Sequence, residues 1–186
     1  MLNNGKLVWS FAYGLRRKNP DLPMTHETST WAESITKCVF STYVMQLVER
    51  GEFDLDLPVA KQLPLALNEY PAYRQAASEI VRDLRWAKVT PRILPAHTSG
   101  LLNFASMEPH KKLRLHSVPG ADFRYSGEGF NLVQFLIEQR KGKPLADLME
   151  QAFFSPLAMS RTGMIYRKEF KADVADRFDA GEKFHA

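Results

Sequence analysis

The sequence predicts an α+β fold in which helices outnumber strands. Two observations support this prediction: residues 34–50 show the apolar spacing of a helix, and residues 6–13 are rich in side chains that favour strands. Two shorter helical patterns follow in the last third of the chain. At 186 residues, with 45% hydrophobic and 25% charged residues, the chain is long enough for one sizeable core and has an ordinary globular composition.

The first predicted element is a strand at Lys6–Tyr13, which follows an Asn-Asn-Gly turn. A partner strand is expected before that turn, where Met1 and Leu2 stand. A polar loop rich in proline and threonine then covers Lys18–Thr30. We therefore expect one good strand and a loop ahead of the first helix.

The strongest helical pattern runs from Ser34 to Arg50, and Gly51 suits the C-terminal cap of that helix. Cys38 lies inside the helix and is expected to be a buried small hydrophobic residue. The following stretch, Asp54–Val59, is typical of a turn. The predicted apolar face of the helix consists of Ile35, Val39, Phe40, Val44, Leu47 and Val48.

Two weaker helices are predicted in the middle of the chain, at Tyr73–Arg85 and at Thr90–Leu94. Thr90 suits the N-cap of the second helix, and Pro95 should end it early. His97–Leu101 indicates a turn beyond it, in which His97 is expected to have a structural role. A loop follows.

The last predicted helices lie at Phe130–Gln139 and Pro144–Phe154. Beyond Lys168 the chain is charged and weakly patterned, so no element is predicted there.

The formal charge of +4 at pH 7 comes from small basic clusters such as Arg16–Lys18 and Lys111-Lys112. No aromatic residues alternate with these clusters, so we expect no nucleic-acid partner. No apolar run is long enough for a membrane span, and Met1–Lys6 lacks the pattern of a signal peptide. The single cysteine excludes an internal disulfide. The histidines lack the spacing of metal ligands, so neither a metal nor another cofactor is expected.

The tetrapeptide Ser34-Ile35-Thr36-Lys37 is the pattern that points to chemistry. A serine and a lysine three residues apart lie on one face of a helix, so the amine can reach the hydroxyl. A hydroxyl becomes a good nucleophile when a neighbouring base takes its proton, and a lysine can be that base when burial or nearby positive charge lowers its pKa. Taken alone, the tetrapeptide is explained at least as well by a helix-capping serine and a solvated lysine.

Several strings occur in order along the chain between about Gly5 and about Thr162. They are Ser34–Lys37, Gly51–Val59, Val89–Arg92, His97–Leu101, Pro119-Gly120, Phe123–Phe130 and Pro156–Met159. Together they resemble the β-lactamase-related serine hydrolases, which include class C β-lactamases, D-alanyl-D-alanine carboxypeptidases and related esterases. The first string is the S-x-x-K motif of that family.

The resemblance implies a role for each site residue. Ser34 would be the acylated nucleophile, Lys37 would help to accept its proton, and Tyr125 would be the second proton-transfer group. A phenol ordinarily titrates near pH ~10, and a flanking lysine ammonium would favour its phenolate form. A core aromatic whose hydroxyl is satisfied is the alternative explanation of Tyr125. The residues expected to bind substrate are Trp31, Ser126 and Gly127.

The resemblance also implies the β-lactamase/transpeptidase-like fold, in which helices pack on both sides of an antiparallel sheet beside a helical subdomain. By that comparison we expect one partial domain, residues 1–186, truncated at both ends. It would contain an N-terminal strand remnant at 1–15 and a helical region with the active-site motifs at 31–160, without the C-terminal strands. The chain also has no Lys-Thr-Gly or His-x-Gly third motif. The incomplete antiparallel sheet would have an unpaired edge that favours self-association.

Three functions remain open at this point. The chain is an active serine hydrolase that forms an acyl-enzyme with an ester, amide or β-lactam, an inactive remnant of such an enzyme, or a penicillin- or peptide-binding protein without turnover. Gly127 stands where the family has asparagine, and the resulting Tyr-Ser-Gly pattern resembles esterase-like members more than true lactamases.

Overall fold

The computed structural model describes residues 1–178 and 184–185 of the chain. It contains two compact units, a first unit formed by Met1–Thr36 together with Met149–Ala186 and a second unit formed by Lys37–Leu148. The predicted domain of residues 1–186 thus contains two units. The predicted α+β class is confirmed, because two long helices are accompanied by short strands that pair in antiparallel fashion.

The strands of the first unit form separate two-stranded hairpins. Among the described residues these hairpins do not join, so the incomplete antiparallel sheet consists of isolated pairs. Asn4 and Gly5, with φ of 48° and 73°, supply the left-handed turn of the first hairpin. The pairs are β1 (Leu2–Asn3) with β2 (Lys6–Leu7), β3 (Leu15–Arg17) with β4 (Leu22–Pro23), and β5 (Arg177–Phe178) with β6 (Phe184–His185).

The strand predicted at Lys6–Tyr13 is wrong beyond its second residue. Leu7 pairs with Leu2, but the amides of Val8 and Trp9 both donate to the carbonyl of Met1, at 3.1 and 3.4 Å. Two amides that share one acceptor cannot continue a regular ladder. The pairing therefore stops at the end of β2.

Inside the first unit, a backbone bridge joins the segment before the first long helix to the segment near residue 174. Ser29 pairs with Val174 in an isolated parallel bridge, with Ser29 N–H donating to Asp173 O at 3.0 Å and Ala175 N–H donating to Ser29 O at 2.8 Å. The loop predicted at Lys18–Thr30 is confirmed apart from β4 and this bridge.

The helix predicted at residues 34–50 is confirmed as a 3-10 turn, Glu33–Ile35, followed by α1 (Thr36–Glu49). Gly51, with φ of 69°, ends it as predicted. Phe40, Tyr43, Val44 and Leu47 form its buried face. Two expectations for this helix are wrong: Ile35 is 70% exposed, and Cys38 lies on the exposed side as well.

The helices predicted at Tyr73–Arg85 and Thr90–Leu94 are wrong. The first stretch folds as successive turns with short 3-10 segments, and the second folds as turns alone. The carbonyl of Ala76, which a helix would use for its own ladder, accepts the N–H of Leu113 at 2.8 Å. A distant segment has therefore replaced the local hydrogen bond. The helical pieces of this region are α2 (Val59–Gln62) and 3-10 turns at Leu67–Glu69, Ile80–Arg82, Leu84–Lys88, Ala105–Met107 and Pro109–Lys111.

The second long helix is α3 (Gly127–Lys141), which begins three residues before the predicted start because Ser126 caps it. Gly142, with φ of 62°, closes its C-terminal end. The helix predicted at Pro144–Phe154 is confirmed as α4 (Leu145–Met149) continued by a π-helical turn, Glu150–Phe154.

Helices α1 and α3 provide much of the core of the second unit. Phe40 of α1 contacts Phe130 of α3 with ring centres 6.2 Å apart, and Lys141 at the end of α3 pairs with Glu52 beyond α1. The fully buried aliphatic side chains of the second unit include Leu47, Leu67, Ile80, Leu94, Leu101, Leu132, Val133 and Ile137. Within residues 1–178 and 184–185, no helix has the length and apolar character to cross a membrane.

Candidate active site

Ser34 lies in the 3-10 turn that leads into α1, two residues before the helix begins at Thr36. The residue before it, Glu33, has φ of 45°, a left-handed conformation that costs a non-glycine residue of the order of 1–3 kcal/mol. Ser34 is exposed. Strained backbone often accompanies reactive side chains, so this turn makes Ser34 a candidate functional residue.

Lys37 stands in the first turn of α1, and its ammonium group lies against two aromatic rings of the second unit. Its Nζ is 5.3 Å from the centre of the Tyr125 ring and 5.5 Å from that of Phe130. Both distances are within the ~6 Å range of cation–π attraction. The structure therefore brings together two of the three predicted catalytic residues, although they are far apart in the sequence.

Tyr125 immediately precedes the N-cap of α3, and its side chain is 42% exposed. Burial alone therefore does not fix the position of its ring. Its ring contacts that of His97, and the residues on either side of it donate backbone hydrogen bonds to His97.

His97 is the residue of this region whose importance the sequence pattern did not reveal. Its ring centre is 4.4 Å from that of Tyr125, and its Nδ1 accepts the N–H of Ser126 at 3.0 Å. Burial lowers the pKa of His97 below its ordinary value, and the nearby charge of Lys37 acts in the same direction. The sequence assigned His97 only to a turn, which its φ of 59° confirms.

Ser126 and Gly127 are buried, so they serve the fold at this position. The Ser126 hydroxyl donates to Leu102 O at 2.9 Å and accepts the N–H of Gly129 at 3.1 Å, which makes it the N-cap of α3. The N–H of Gly127 donates to Asn103 Oδ1 at 2.8 Å. These bonds anchor the segment that carries Tyr125, and direct substrate contact by the two residues stays a prediction.

Glu128 is a buried carboxyl group in the first turn of α3. Burial raises its pKa, while the N–H of Ala105, which donates to its Oε2 at 3.2 Å, and the amide of Asn131 partly offset that effect. Its side chain points to the 103–105 segment and gives that segment a hydrogen-bond acceptor.

Trp31 belongs to the first unit, where it is 47% exposed. Its ring stacks on Tyr166 at 6.1 Å, and the Arg177 guanidinium lies 5.6 Å from its centre. These residues line a cavity of about 580 Å³ within that unit, together with Glu33 and Arg161. Both arginines have carboxylate partners, since Arg177 pairs with Glu33 at 2.9 Å and Arg161 lies 3.4 Å from Asp173.

The described residues contain no group of three or more His, Cys, Asp and Glu side chains that could hold a metal ion. Of the histidines, His116 contacts a carboxylate: its Nε2 is 2.6 Å from Oε1 of the buried Glu108.

Comparisons with known proteins agree with this architecture. The chain is similar to a class C beta lactamase of solved structure, with a TM-score of 0.76 and 20% identity over 98% of this chain and 49% of that one. It is also similar to the D-alanine carboxypeptidase AmpC from Burkholderia cenocepacia, with a TM-score of 0.75 and 24% identity over 98% of this chain and 48% of that one. The predicted β-lactamase/transpeptidase-like fold is confirmed by these similarities.

Relatives identified by sequence lead to the same group of proteins. Esterase EstB of Burkholderia gladioli is 26% identical over 188 residues, which cover 87% of this chain and 45% of the esterase. A D-aminopeptidase of Brucella canis is 28% identical over 171 residues, which cover 89% of this chain and 32% of that enzyme. The chain thus spans less than half the length of these relatives. A family model described as Beta-lactamase matches residues 1–183, and the chain therefore belongs to the beta-lactamase family, the serine hydrolases that its motifs resemble.

Proposed function

We propose that this chain carries the acylating residues of a β-lactamase-related serine hydrolase. Ser34 is the nucleophile, and Lys37 and Tyr125 are the groups that move its proton. The observation that supports the proposal best is the Lys37 ammonium held against the Tyr125 ring, three residues after an exposed serine in a strained turn.

The proposed reaction is acyl transfer in two steps. The Ser34 hydroxyl attacks the carbonyl carbon of an ester, amide or β-lactam, and its proton passes through Lys37 and Tyr125 to the leaving oxygen or nitrogen. Water then attacks the acyl-serine, which releases the acid and restores the hydroxyl. The backbone N–H of Ser34 supplies one hydrogen bond to the oxyanion.

An ester is the substrate we propose to test first. The Burkholderia relative is named an esterase, and the Tyr-Ser-Gly pattern at residues 125–127 resembles esterase-like members of the family. Trp31, which is 47% exposed, is proposed to contact the substrate. Ser126 and Gly127 are proposed to act at the same site through the segment that they anchor.

Labelling by a fluorophosphonate probe, followed by intact-mass measurement, tests the nucleophile. We expect one adduct on the wild type, none on Ser34→Ala, and full labelling of Ser41→Ala, a control serine in α1. Lys37→Ala and Tyr125→Phe should label about 10²–10⁴-fold more slowly, since each removes a proton-transfer group. Labelling that survives Ser34→Ala would overturn the assignment of the nucleophile.

The two alternative functions give different results in the same series. Stoichiometric labelling with no turnover of a chromogenic ester indicates a binding protein. No labelling of a chain that melts cooperatively indicates a remnant in which acylation has been lost.

We also propose that the chain associates with itself through residues 8–13. Trp9, Phe11 and Tyr13 are 62%, 68% and 86% exposed, and their rings stack in a row at 6.2 and 6.5 Å. Apolar side chains at every second position beside an unpaired strand end favour edge-to-edge pairing. Sedimentation velocity should show oligomers in the wild type and a shift to monomer in Phe11→Lys. A monomeric wild type at high concentration would exclude this association.

A further inference from the structure

We propose that His97 is a positioning residue that holds Tyr125 in place by binding the residue on each side of it. The proposal deepens the function proposed above, on which its catalytic consequence rests, while its structural part can be tested without any activity.

His97 contacts the Tyr125 segment at three points. The N–H of Arg124 donates to its backbone carbonyl at 2.7 Å, and the N–H of Ser126 donates to its Nδ1 at 3.0 Å. The His97 ring also lies 4.4 Å from the Tyr125 ring, with 32° between their planes. One residue therefore binds both neighbours of the phenol and packs against the phenol itself.

His97 is itself fixed by its surroundings. Its N–H donates to Leu94 O at 3.1 Å, and its backbone has φ of 59°. Phe123 and Phe130 pack around its ring, with ring centres at 5.7 and 5.5 Å. A side chain held on several sides can transmit its position to the exposed Tyr125, which burial does not fix.

The bond to Ser126 also determines the protonation of the imidazole. An Nδ1 that accepts an N–H carries no proton, so the neutral ring has its proton on Nε2. Among the described residues, the titratable groups shown to face the ring are Lys37 from α1 and Tyr125 from the segment before α3. Protonation of His97 at low pH removes the acceptor, and Ser126 N–H then loses its partner.

Two substitutions separate the hydrogen bond from the ring contact. His97→Asn keeps an acceptor in the position of Nδ1 and tolerates a positive φ. His97→Phe keeps a ring but has no acceptor, and it adds backbone strain at this positive φ, so its signals and rates are compared on the folded fraction. His116→Asn is the matched control, because it removes the Nε2 contact of a second histidine in the same unit without touching Tyr125.

Nuclear magnetic resonance of ¹⁵N amides and ¹³C-labelled tyrosines tests the proposal on the wild-type chain and these variants. Because the pKa of His97 is lowered, we expect the Ser126 amide signal of the wild type to move only at a pH below the ordinary pKa of histidine, about 6.5, and not to move in His97→Asn. The Tyr125 signal should shift or broaden in His97→Phe and stay unchanged in His116→Asn. A Tyr125 signal that is the same in His97→Phe as in the wild type would overturn the proposal.

Fluorophosphonate labelling gives the catalytic part of the answer. Per folded molecule, His97→Phe should label about 10–10²-fold more slowly than His97→Asn, as expected when a reacting group is misplaced. Equal rates in the two variants would contradict a positioning role. If the wild type does not label, the proposed function fails, and the nuclear magnetic resonance signals still decide whether His97 positions Tyr125. If both variants fail to fold, the wild-type titration decides: a Ser126 amide signal that stays unchanged while the His97 ring signals titrate overturns the proposal.

Discussion

Ser126 is the side chain that joins the Tyr125 segment to the helix behind it. Its buried hydroxyl bonds in both directions, to the carbonyl of Leu102 and from the amide of Gly129. Because Tyr125 directly precedes it, each bond that fixes Ser126 also restricts the phenol. At the residue scale, the candidate site depends on such supporting contacts as much as on the reactive groups.

Replacing Ser126 with alanine should lower the free energy of unfolding by about 1–2 kcal/mol, the usual cost of losing an N-cap. The decrease in the free energy of unfolding should be close to the upper value of this range, because the carbonyl of Leu102 also loses its hydrogen-bond donor. Chemical denaturation measures the change. Ser155→Ala, which removes an exposed hydroxyl, is the control and should stay within about 0.5 kcal/mol of the wild type. Equal effects of the two substitutions would contradict the capping role.

Glu128 should make the stability of the protein depend on pH. Burial raises its folded-state pKa above the unfolded value, so its contribution to stability is fully present below the unfolded pKa and is lost as the pH rises through the folded one. Glu128→Gln removes the buried charge and leaves an oxygen to accept the Ala105 N–H. The variant should therefore melt higher than the wild type at pH 8, with a difference that shrinks toward pH 4. A difference independent of pH would show that the carboxylate is not destabilising.

At the element scale, the position of α3 depends on a close backbone approach at Gly129. A Cβ built there would be 2.8 Å from the carbonyl oxygen of Leu94, which is backbone and cannot rotate away. The first turn of α3 thus lies directly against the segment that precedes His97. This contact explains how two stretches far apart in the sequence meet around Tyr125.

Gly129→Ala should destabilise the second unit by about 1–3 kcal/mol, because the helix must move away from Leu94. In an isolated helix the same change would stabilise by about 1 kcal/mol, so the sign of the effect is diagnostic. Gln139→Ala, at an exposed position of α3, is the control and should be neutral or slightly stabilising. A stabilised Gly129→Ala variant, measured by denaturant titration, would mean that this close contact is absent in solution.

Across the whole molecule, the sequence patterns predicted the elements whose hydrogen bonds and caps lie within a few residues of each other. The apolar spacing of α1 and its glycine cap were readable, as was the body of α3. Tyr73–Arg85 was not, because the carbonyl of Ala76 bonds to the distant Leu113. The strand predicted after Leu7 was wrong for a related reason, because a strand needs a regular series of hydrogen-bond partners on a neighbouring strand.

The candidate site shows the same division between local and distant information. The spacing of Ser34 and Lys37 is local, so the sequence alone makes it a candidate pair. The position of Tyr125 beside Lys37 required the family resemblance, because no local pattern joins residues so far apart. The contacts of His97 with both neighbours of Tyr125 became visible only in three dimensions.

Rapid-mixing kinetics with a chromogenic ester test whether the substrate acylates Ser34. We expect a burst of about one equivalent of released leaving group per chain, followed by steady turnover, as for an acyl-enzyme. The burst should disappear in Ser34→Ala and persist in Ser41→Ala. A folded wild-type chain that releases no more leaving group than its Ser34→Ala variant would show that Ser34 is not acylated.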